Sequence, residues 1–296
     1  LEWRKLMKHF FVISNESKDK DLKTAYGIKE YLKQKDCICH VATDYGLDES
    51  KEFSTNVEEI PEDTEAIIVL GGDGTFLQAA NDVNKLALPM LGVNMGTLGF
   101  LTDIEKNQIY GAIDQLLRDE YRLEDRMLLS CAYTKDTGEL CHTIALNDVV
   151  INKGRLYHLL CVKVYINNEL LDQYIADGVI ISTPTGSTGY NLSAGGPVMQ
   201  PTMEGIIITP ICPHSLNNRS LVISAEDEVV LELEPVRGEA ENEGILIVDG
   251  MVQKTMYGGE RVHIKKAKQN SRLLKVGKTS FFEVFHEKLG MGKENG

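Results

Sequence analysis

A short glycine-rich segment follows the most apolar stretch in the first third of the chain. Gly71-Gly72-Asp73-Gly74-Thr75 comes directly after the continuous apolar run Ala66–Leu70. Glycines let a backbone bend tightly and approach a ligand closely, and ligands of α/β sheets bind beyond the carboxyl ends of strands. A helix that starts here would also point free N–H groups at an anion. Asp73 could then polarise a hydroxyl or help to position a metal-bound phosphate; its alternative role is a helix cap.

Two smaller polar segments come later in the chain. Asn94–Phe100 follows the strand pattern Met90–Val93, and its glycines favour a loop that could offer Phe100 to a flat ring. Taken alone, Phe100 packing beneath its own loop is the stronger interpretation. Asn147 and Asp148 interrupt the otherwise apolar strand pattern Thr143–Asn152. Neighbouring polar residues inside a strand usually form a satisfied hydrogen-bond network, but an amide and an acceptor can also bind ribose or adenine.

The longest unusual segment is Ala176–Pro197, in which a buried strand pattern leads into a loop rich in hydroxyls and glycines. Hydroxyls and backbone amides are suitable donors to phosphate and ribose oxygens. The segment is too long and specific for an ordinary connecting loop. The sequence contains neither a Gly-x-x-x-x-Gly-Lys-[Ser/Thr] phosphate loop nor a Gly-x-Gly-x-x-Gly motif after a strand, so the common nucleotide-binding motifs are not in use.

The elements that must position these residues change in character near Arg126. Before it, strand and helix patterns alternate, which predicts an α/β domain with a parallel sheet over residues 1–125. The predicted strands are Phe10–Ile13, Ala66–Leu70 and Met90–Val93, and the predicted helices are Leu22–Lys33, Phe76–Asn84 and Ile104–Arg118. After Arg126, short alternating strands such as Leu160–Ile166, Val229–Glu234 and Arg261–Lys265 predict an all-β sandwich over residues 126–270.

The net charge and the cysteine and histidine content limit the kinds of partner and metal site that the chain can have. The formal net charge of −13 disfavours a broad grip on DNA or RNA and disfavours docking on an anionic membrane. The six cysteines form no Cys-x-x-Cys pair and the seven histidines are scattered, which indicates free thiols and no built-in metal site. With no apolar stretch long enough for a membrane span, we expect a cytoplasmic protein without nucleic-acid or membrane partners.

At these residues the sequence resembles the NAD kinase family. Gly71–Thr75, Asn147-Asp148 and Asp177–Pro197 are similar to its three signature regions in order and spacing, and Asn94–Asp103 is similar to a fourth, weaker block. The resemblance extends from Phe10 to Leu289. The Gly-Gly-Asp-Gly-Thr motif also occurs in lipid kinases, so the Thr183–Pro197 segment makes the assignment specific.

The resemblance implies a chemistry and a set of roles. The family transfers a phosphoryl group to the 2′-hydroxyl of the adenosine ribose of NAD, giving NADP, with a divalent metal ion such as Mg²⁺ supplied with the donor. Asp73 would be the base, and Gly74 and Phe100 would line the adenylate site. Asn147 and Asp148 would bind adenine and ribose, and Tyr190 would pack on adenine. The remaining positions implied to contact the nucleotide are His158, Asp177, Thr188, Gly189, Asn191, Leu192 and Ser193. Residues 271–296 would return to the first domain.

Two departures and several alternatives stay open. Many members carry Lys or Arg where this chain has Ile175, and Gln where it has Met251 after Asp249-Gly250. These differences affect the nicotinamide side and the product phosphate, not the catalytic loop. The rival functions are a lipid kinase, which the acidic charge disfavours, and a non-catalytic nucleotide sensor, which an intact Asp73 disfavours. The donor could be ATP or polyphosphate, the substrate NAD or NADH, and family members are usually dimers or tetramers.

Overall fold

The computed structural model describes residues 6–42, 55–96, 98–154, 159–214, 219–234 and 243–289. The chain divides into two compact units, the first made of residues 1–125 with 271–296 and the second of residues 126–270. Within the described ranges, no helix is long and apolar enough to cross a membrane.

The first unit begins with alternating strands and helices. Its strands are β1 His9–Ser14, β2 Ile38–Val41, β3 Ala66–Gly71, β4 Met90–Asn94, β5 Ile104–Glu105 and β6 Tyr121–Arg126. Its helices are α1 Lys23–Lys33, α2 Asp73–Val83 and α3 Ile109–Leu117. Every residue of β3 and β4 is buried, as expected for central strands covered on both faces.

The second unit consists mainly of strands. They are β7 Leu129–Thr134, β8 Leu140–Ala145, β9 Asp148–Lys153, β10 Leu160–Ile166, β11 Glu169–Ala176, β12 Gly178–Ser182, β13 Ile206–Ile211, β14 Leu221–Ile223, β15 Val229–Leu233, β16 Glu243–Val248, β17 Met251–Tyr257 and β18 Arg261–Lys266. One short helix, α4 Tyr190–Ser193, lies between β12 and β13.

The chain then returns to the first unit with β19 Ser271–Val276 and α5 Phe281–Leu289. The described part of that sheet has the order β2-β1-β3-β4-β19-β6, with β5 also paired to β4. The pairs among β1 to β5 and the pair of β19 with β4 are parallel. Short 3-10 turns complete the elements at Lys20–Leu22, Val57–Glu59, Asn84–Leu86, Lys106–Gln108 and, in the second unit, Gly186–Thr188.

The strands of the second unit form two antiparallel sheets in the described residues, β11-β10-β15-β18-β7-β8 and β14-β13-β12-β9-β16-β17. Alternate residues of both sheets, such as Val162 of β10 and Ile181 of β12, share one buried core. The other face of the second sheet buries Val150 and Ile180 against Ala194, which follows α4. The structure therefore confirms the predicted fold class, a parallel α/β sheet together with an all-β sandwich.

Three predicted elements differ in detail. The predicted helix Ile104–Arg118 begins only at Ile109, because Ile104 pairs with Val93 in the sheet and Glu105 forms a capping box with Gln108. The predicted helix Phe76–Asn84 begins three residues earlier, at Asp73. The strand pattern Thr143–Asn152 is two strands, β8 and β9, in different sheets, and the chain crosses between them at Leu146 and Asn147.

Candidate functional site

The glycine-rich turn joins β3 to α2 with no intervening loop. β3 ends at Gly71 and α2 begins at Asp73, so the carboxyl end of a buried strand leads straight into a helix N-terminus. A Cβ on Gly71 would overlap the side chain of Thr75 one turn later, so glycine is required there. Gly74 is exposed and faces open space. The turn therefore presents an accessible backbone together with the first carboxylate of the helix.

Asp73 does not act as a side-chain cap of its own helix; its carboxylate is held by another loop. Oδ1 accepts hydrogen bonds from the backbone N–H groups of Leu101 and Thr102 (3.1 and 3.2 Å) and from the Thr102 hydroxyl (3.0 Å). Oδ2 accepts one from the N–H of Phe100 at 2.8 Å. Because a carboxylate oxygen can accept about two hydrogen bonds, Oδ2 keeps a position for one further donor. The carboxylate is thus fixed in direction and still able to bind a hydroxyl.

The loop that holds Asp73 is itself fixed by residues of the predicted segment Asn94–Phe100 to which the sequence assigned no such role. Buried Asn94, at the end of β4, donates to the Thr102 hydroxyl at 3.2 Å and accepts from the N–H of Gly96 at 2.6 Å. Gly99 lies so close to Asp73 that a Cβ there would collide with the carboxylate. The sequence signal for these roles was the spacing of Asn94, Gly96 and Gly99, which was interpreted only as a loop that presents Phe100.

Phe100 packs against the C-terminal helix. Its ring centroid lies 6.0 Å from that of Phe281, and the ammonium of Lys288 lies 4.6 Å from its centroid. The same Lys288 Nζ is 3.9 Å from Oδ2 of Asp73. Phe100 is only partly buried, and its ring contacts in the described residues are with α5. That it offers its ring to a flat ligand stays a prediction. Lys288 adds a positive charge that the sequence motifs did not predict.

A second cation lies at the glycine turn. The ammonium of Lys18, from the loop after β1, is close enough to Gly72 that a Cβ there would lie 2.8 Å from its Nζ. In the same loop, Asn15 donates from Nδ2 to the Thr75 hydroxyl at 3.1 Å. The segment after β1 therefore meets the turn after β3, as neighbouring parallel strands require.

In the second unit, Asn147 and Asp148 lie where the chain crosses from one sheet to the other. Asp148 is 6% exposed, and burial together with the nearby negative charge of Asp249 raises the pKa of its carboxyl group to about 7. The backbone oxygen of Asn147 accepts from the N–H of Thr183 at 2.9 Å. The dipeptide is thus joined to the start of the hydroxyl-rich loop.

That loop packs closely on Asn147. A Cβ on Gly186 would overlap the backbone of Asn147. A Cβ on Gly189 would lie 3.7 Å from the side-chain amide nitrogen of Asn147. Thr183 fixes the loop by donating its hydroxyl to the Leu146 carbonyl at 2.6 Å and accepting from the N–H of Gly186 at 3.0 Å. Gly186 is therefore required for the close approach between two backbone segments, whereas Gly189 lies at an ordinary contact distance from the Asn147 side chain.

Some of the predicted contact residues of the loop have internal roles. Asn191 is fully buried and donates to the carbonyls of Ser187 and Pro197 at 3.1 and 3.0 Å, while its oxygen accepts from Thr209 at 2.7 Å. The Thr188 hydroxyl donates to the Thr185 carbonyl at 3.4 Å. By contrast Ser193 is exposed, and Gly189 and Leu192 are partly exposed. The Asn191 side chain is therefore used to shape the loop, whereas its neighbours keep accessible surface.

Tyr190 and Asp177 lie at the far end of β9 and β12. The Tyr190 side chain is exposed, and its hydroxyl is 3.5 Å from the amide nitrogen of Asn152. Partial burial raises the pKa of Tyr190, the hydrogen bond with Asn152 lowers it, and the nearby Cys212, Asp177 and Asp148 raise it further. Asp177 forms an ion pair with Lys153 at 2.7 Å. Asn152 and Lys153, which the sequence did not indicate, thus contact Tyr190 and Asp177, four and five positions along β9 from Asp148.

One predicted residue, His158, lies outside the described residues. In the described part of the chain, no group of three or more His, Cys, Asp or Glu side chains is arranged to hold a metal ion. Asp73 offers one free acceptor position, which is too little to hold a metal ion without other ligands.

Both halves of the chain match known family models. The model described as ATP-NAD kinase N-terminal domain matches residues 10–121, and the one described as ATP-NAD kinase C-terminal domain matches residues 146–276. An NAD kinase of Lachnoclostridium phytofermentans is 43% identical over 286 residues, which cover 96% of this chain and 99% of that relative.

Two solved structures share the fold. A yeast NADH kinase complexed with NADH superimposes with a TM-score of 0.84 at 24% identity, covering 99% of this chain and 90% of that one. An NAD kinase from Archaeoglobus fulgidus in complex with ATP superimposes with a TM-score of 0.74 at 24% identity, covering 95% and 97% of the two chains. The matched domain models and the full-length relative together establish that this chain belongs to the NAD kinase family.

Proposed function

We propose that this chain transfers a phosphoryl group to the 2′-hydroxyl of the adenosine ribose of NAD, giving NADP. The observation that supports it most strongly is the geometry of Asp73. The carboxylate stands at the carboxyl end of a buried parallel strand, is oriented by four hydrogen bonds, and keeps one acceptor position on Oδ2. One oriented carboxylate beside an accessible glycine-rich backbone is the arrangement that phosphoryl transfer to an alcohol requires.

In the reaction, Asp73 acts on the attacking hydroxyl. The 2′-hydroxyl donates its hydrogen bond to the free position on Oδ2, and the proton moves to the carboxylate as the new oxygen–phosphorus bond forms. At the same time the bond between the transferred phosphorus and the donor's bridging oxygen breaks, so the donor leaves one phosphoryl group shorter, as ADP when the donor is ATP. A base held in position in this way contributes about 10²- to 10⁴-fold to the rate. The loop from Phe100 to Thr102 prevents the carboxylate from rotating, so the attacking oxygen is held in one direction.

The glycine turn is the part of the first unit suited to the phosphate donor. The N-terminus of α2 presents unpaired N–H groups, and Lys18 and Lys288 bring positive charge to the same turn. These groups can offset the charge that develops on the transferred phosphoryl oxygens. We propose ATP as the donor, because a structural neighbour, the Archaeoglobus fulgidus enzyme, was solved in complex with ATP. Polyphosphate is the alternative that the donor assay tests.

A divalent metal ion, Mg²⁺ in our proposal, is used with ATP by enzymes of this family. Since the described residues offer no cluster of ligands, the donor's phosphate oxygens and water would hold most of its coordination shell. Asp73 would contribute no ligand while the 2′-hydroxyl occupies its free position on Oδ2. The ion would neutralise phosphate charge; no proton transfer is assigned to it.

The second unit supplies groups suited to the dinucleotide. We propose that Asn147 and Asp148 bind adenine and ribose, that Asp177 contacts the dinucleotide, and that Tyr190 packs on adenine. Their support is that all four lie on or beside the paired strands β9 and β12, with Asp148 opposite Ser182 and Asp177 next to Gly178, while Tyr190 keeps an exposed ring. Further proposed contacts are Gly74, Phe100, His158, Thr188, Gly189, Leu192 and Ser193, with Asn191 shaping the loop. We also propose a cytoplasmic homodimer or homotetramer.

The test is an assay of NADP formation by the purified chain. ATP and polyphosphate are each supplied with NAD or NADH and with Mg²⁺, Mn²⁺ or chelator, and diacylglycerol and sphingosine serve as alternative acceptors. NADP formed with ATP and a divalent metal, and no phosphorylated lipid, is the expected result. Phosphorylation of a lipid in place of NAD, or NAD binding without turnover under all conditions, would contradict the proposal.

A further inference from the structure

The carboxylate of Asp249 accepts hydrogen bonds from three consecutive backbone amides. Its Oδ2 accepts from the N–H of Leu146 at 2.7 Å, and its Oδ1 accepts from the N–H groups of Asn147 and Asp148 at 2.8 and 2.9 Å. The backbone N–H of Asp249 donates in return to the Asp148 carbonyl at 3.0 Å. One residue thus makes four hydrogen bonds to a three-residue segment that is about a hundred positions away in the chain.

The position of this carboxylate is set by a tight hairpin. Asp249 and Gly250 connect β16 to β17, with Val248 paired to Met251 and positive φ angles of 48° and 82° at the two turn residues. Two successive positive φ angles define the Asp-Gly type I′ turn, which matches the twist of the flanking strands. Asp249 is 8% exposed, so its charge is buried and its hydrogen bonds are shielded from water.

The three amides need this partner because of where they lie. Leu146 and Asn147 fall between β8 and β9, where the chain leaves one sheet for the other and the strand ladders end. Buried amides without an acceptor are costly, so a carboxylate that accepts from all three determines the conformation of the crossing. The orientation of the Asn147 and Asp148 side chains follows from that conformation.

We propose that Asp249 is a positioning residue for NAD binding: by holding the amides of residues 146–148 it sets the direction of the Asn147 and Asp148 side chains and keeps a negative charge beside Asp148. This inference rests on the proposed function, because it assigns the two side chains to NAD. It adds a role for a hairpin residue that contacts no proposed ligand itself.

The charge of Asp249 gives the proposal a measurable signature. After burial, Asp249 is the group that raises the pKa of Asp148. The other titratable side chains around β9 in the described residues are Cys131 and Tyr133 on β7, Glu243 at the opposite end of β16, Tyr190 on α4, and the ion pair of Lys153 on β9 with Asp177 beside β12. Removing the charge of Asp249 should therefore lower the pH at which Asp148 ionises.

The experiment measures NAD binding to the full chain by calorimetry between about pH 5.5 and 8.5, together with KM, kcat and thermal melting. The variants are Asp249→Asn, Asp249→Glu, Asp148→Asn and a control, Asp227→Asn. Asp227 also holds a turn of the second unit, accepting from the Ser224 N–H at 3.1 Å and the Asn167 amide at 2.7 Å, and among the described residues it shares no hydrogen bond with Asn147 or Asp148.

We expect wild-type affinity to rise as Asp148 ionises near neutral pH, and this dependence to disappear in Asp148→Asn. Asp249→Asn should shift the midpoint to lower pH and, at about pH 8, weaken NAD binding about tenfold or more, with kcat changing much less than KM for NAD. Asp249→Glu should keep the midpoint and lose affinity, because the charge stays while the hydrogen bonds move. The control should behave like wild type.

Two results would overturn the proposal. One is an Asp249→Asn or Asp249→Glu protein that binds NAD with wild-type affinity and midpoint. The other is an Asp249 variant whose NAD affinity falls only in proportion to the folded fraction, while its kcat falls and its KM for ATP rises to the same extent. If Asp249→Asn does not fold, the NAD affinities of Asp249→Glu and Asp148→Asn still test whether Asp249 positions the NAD-binding residues. A wild-type chain that binds NAD but makes no NADP would contradict the proposed function and leave this binding test valid.

Discussion

Gly99 and the carboxylate of Asp73 occupy adjoining space, so that a single methyl group on Gly99 would collide with the Asp73 carboxylate. Asp73 begins α2 and Gly99 belongs to the loop after β4, so two neighbouring strands of the parallel sheet bring them together. The contact explains why the loop needs a glycine at a residue with no direct chemistry.

Gly99→Ala should therefore lower kcat without loss of the fold. The added methyl must push the Asp73 carboxylate or the loop aside, and a displacement of about 1 Å can cost on the order of 10²-fold in rate. Gly96→Ala, in the same loop but facing open space, is the matched control and should retain activity. Equal kcat values for the two variants would show that the position of Asp73 is not critical.

Asp148 should leave a signature in the pH dependence of stability. Its pKa is raised from near 3.8 to about 7 in the folded chain, so between these values the folded state keeps a proton that the unfolded state has released. Its contribution to the free energy of unfolding therefore falls as pH rises through this window, by up to about 1.4 kcal/mol per pH unit, and is constant above it. Urea unfolding of wild type and Asp148→Asn at several pH values measures this change in the free energy of unfolding. A wild-type curve parallel to that of the variant would contradict the raised pKa.

Tyr190→Ala should weaken NAD binding more than it slows turnover. The ring is 41% exposed, so it has free surface for a base, and losing one base–aromatic stack costs about 1–3 kcal/mol, or roughly 5- to 150-fold in affinity. Tyr257→Ala, which removes a ring with similar exposure from β17, is the control. Calorimetry with NAD and thermal melting separate the two roles: an unchanged dissociation constant with a large fall in melting temperature would make Tyr190 a structural residue.

Local sequence patterns were sufficient for the central features of both units. The apolar run Ala66–Leu70 is β3, and the glycine turn directly follows it, because a strand buried on both faces must be apolar throughout. The change of period near Arg126 predicted the sandwich because a half-buried antiparallel strand alternates apolar and polar residues. These features depend on residues that are close together in sequence, where periodicity carries the information.

The rest depends on contacts between distant residues. The amides that hold Asp73 come from a loop 27 to 29 residues away, and Asp249 reaches Leu146 across 103 residues. Ile104 fits a helical pattern equally well and becomes a strand only because it pairs with Val93 at the end of β4. Likewise, nothing local distinguishes Asn191, whose side chain is used within the loop, from the exposed Ser193 nearby.

The measurement that tests the central claim most directly is the turnover of Asp73→Asn. The variant keeps the shape of the side chain and removes its capacity to take a proton. In either orientation, its amide NH₂ group faces backbone donors, the N–H of Phe100 in one and the N–H groups of Leu101 and Thr102 in the other. Asp82→Asn, at the other end of α2, is the control. NADP formation, NAD affinity and melting temperature are recorded for all three proteins. We predict that Asp73→Asn stays folded, binds NAD within a few-fold of wild type and loses about 10²- to 10⁴-fold in kcat, while the control stays active. A folded Asp73→Asn protein with near-wild-type kcat would contradict the assignment of Asp73 as the base.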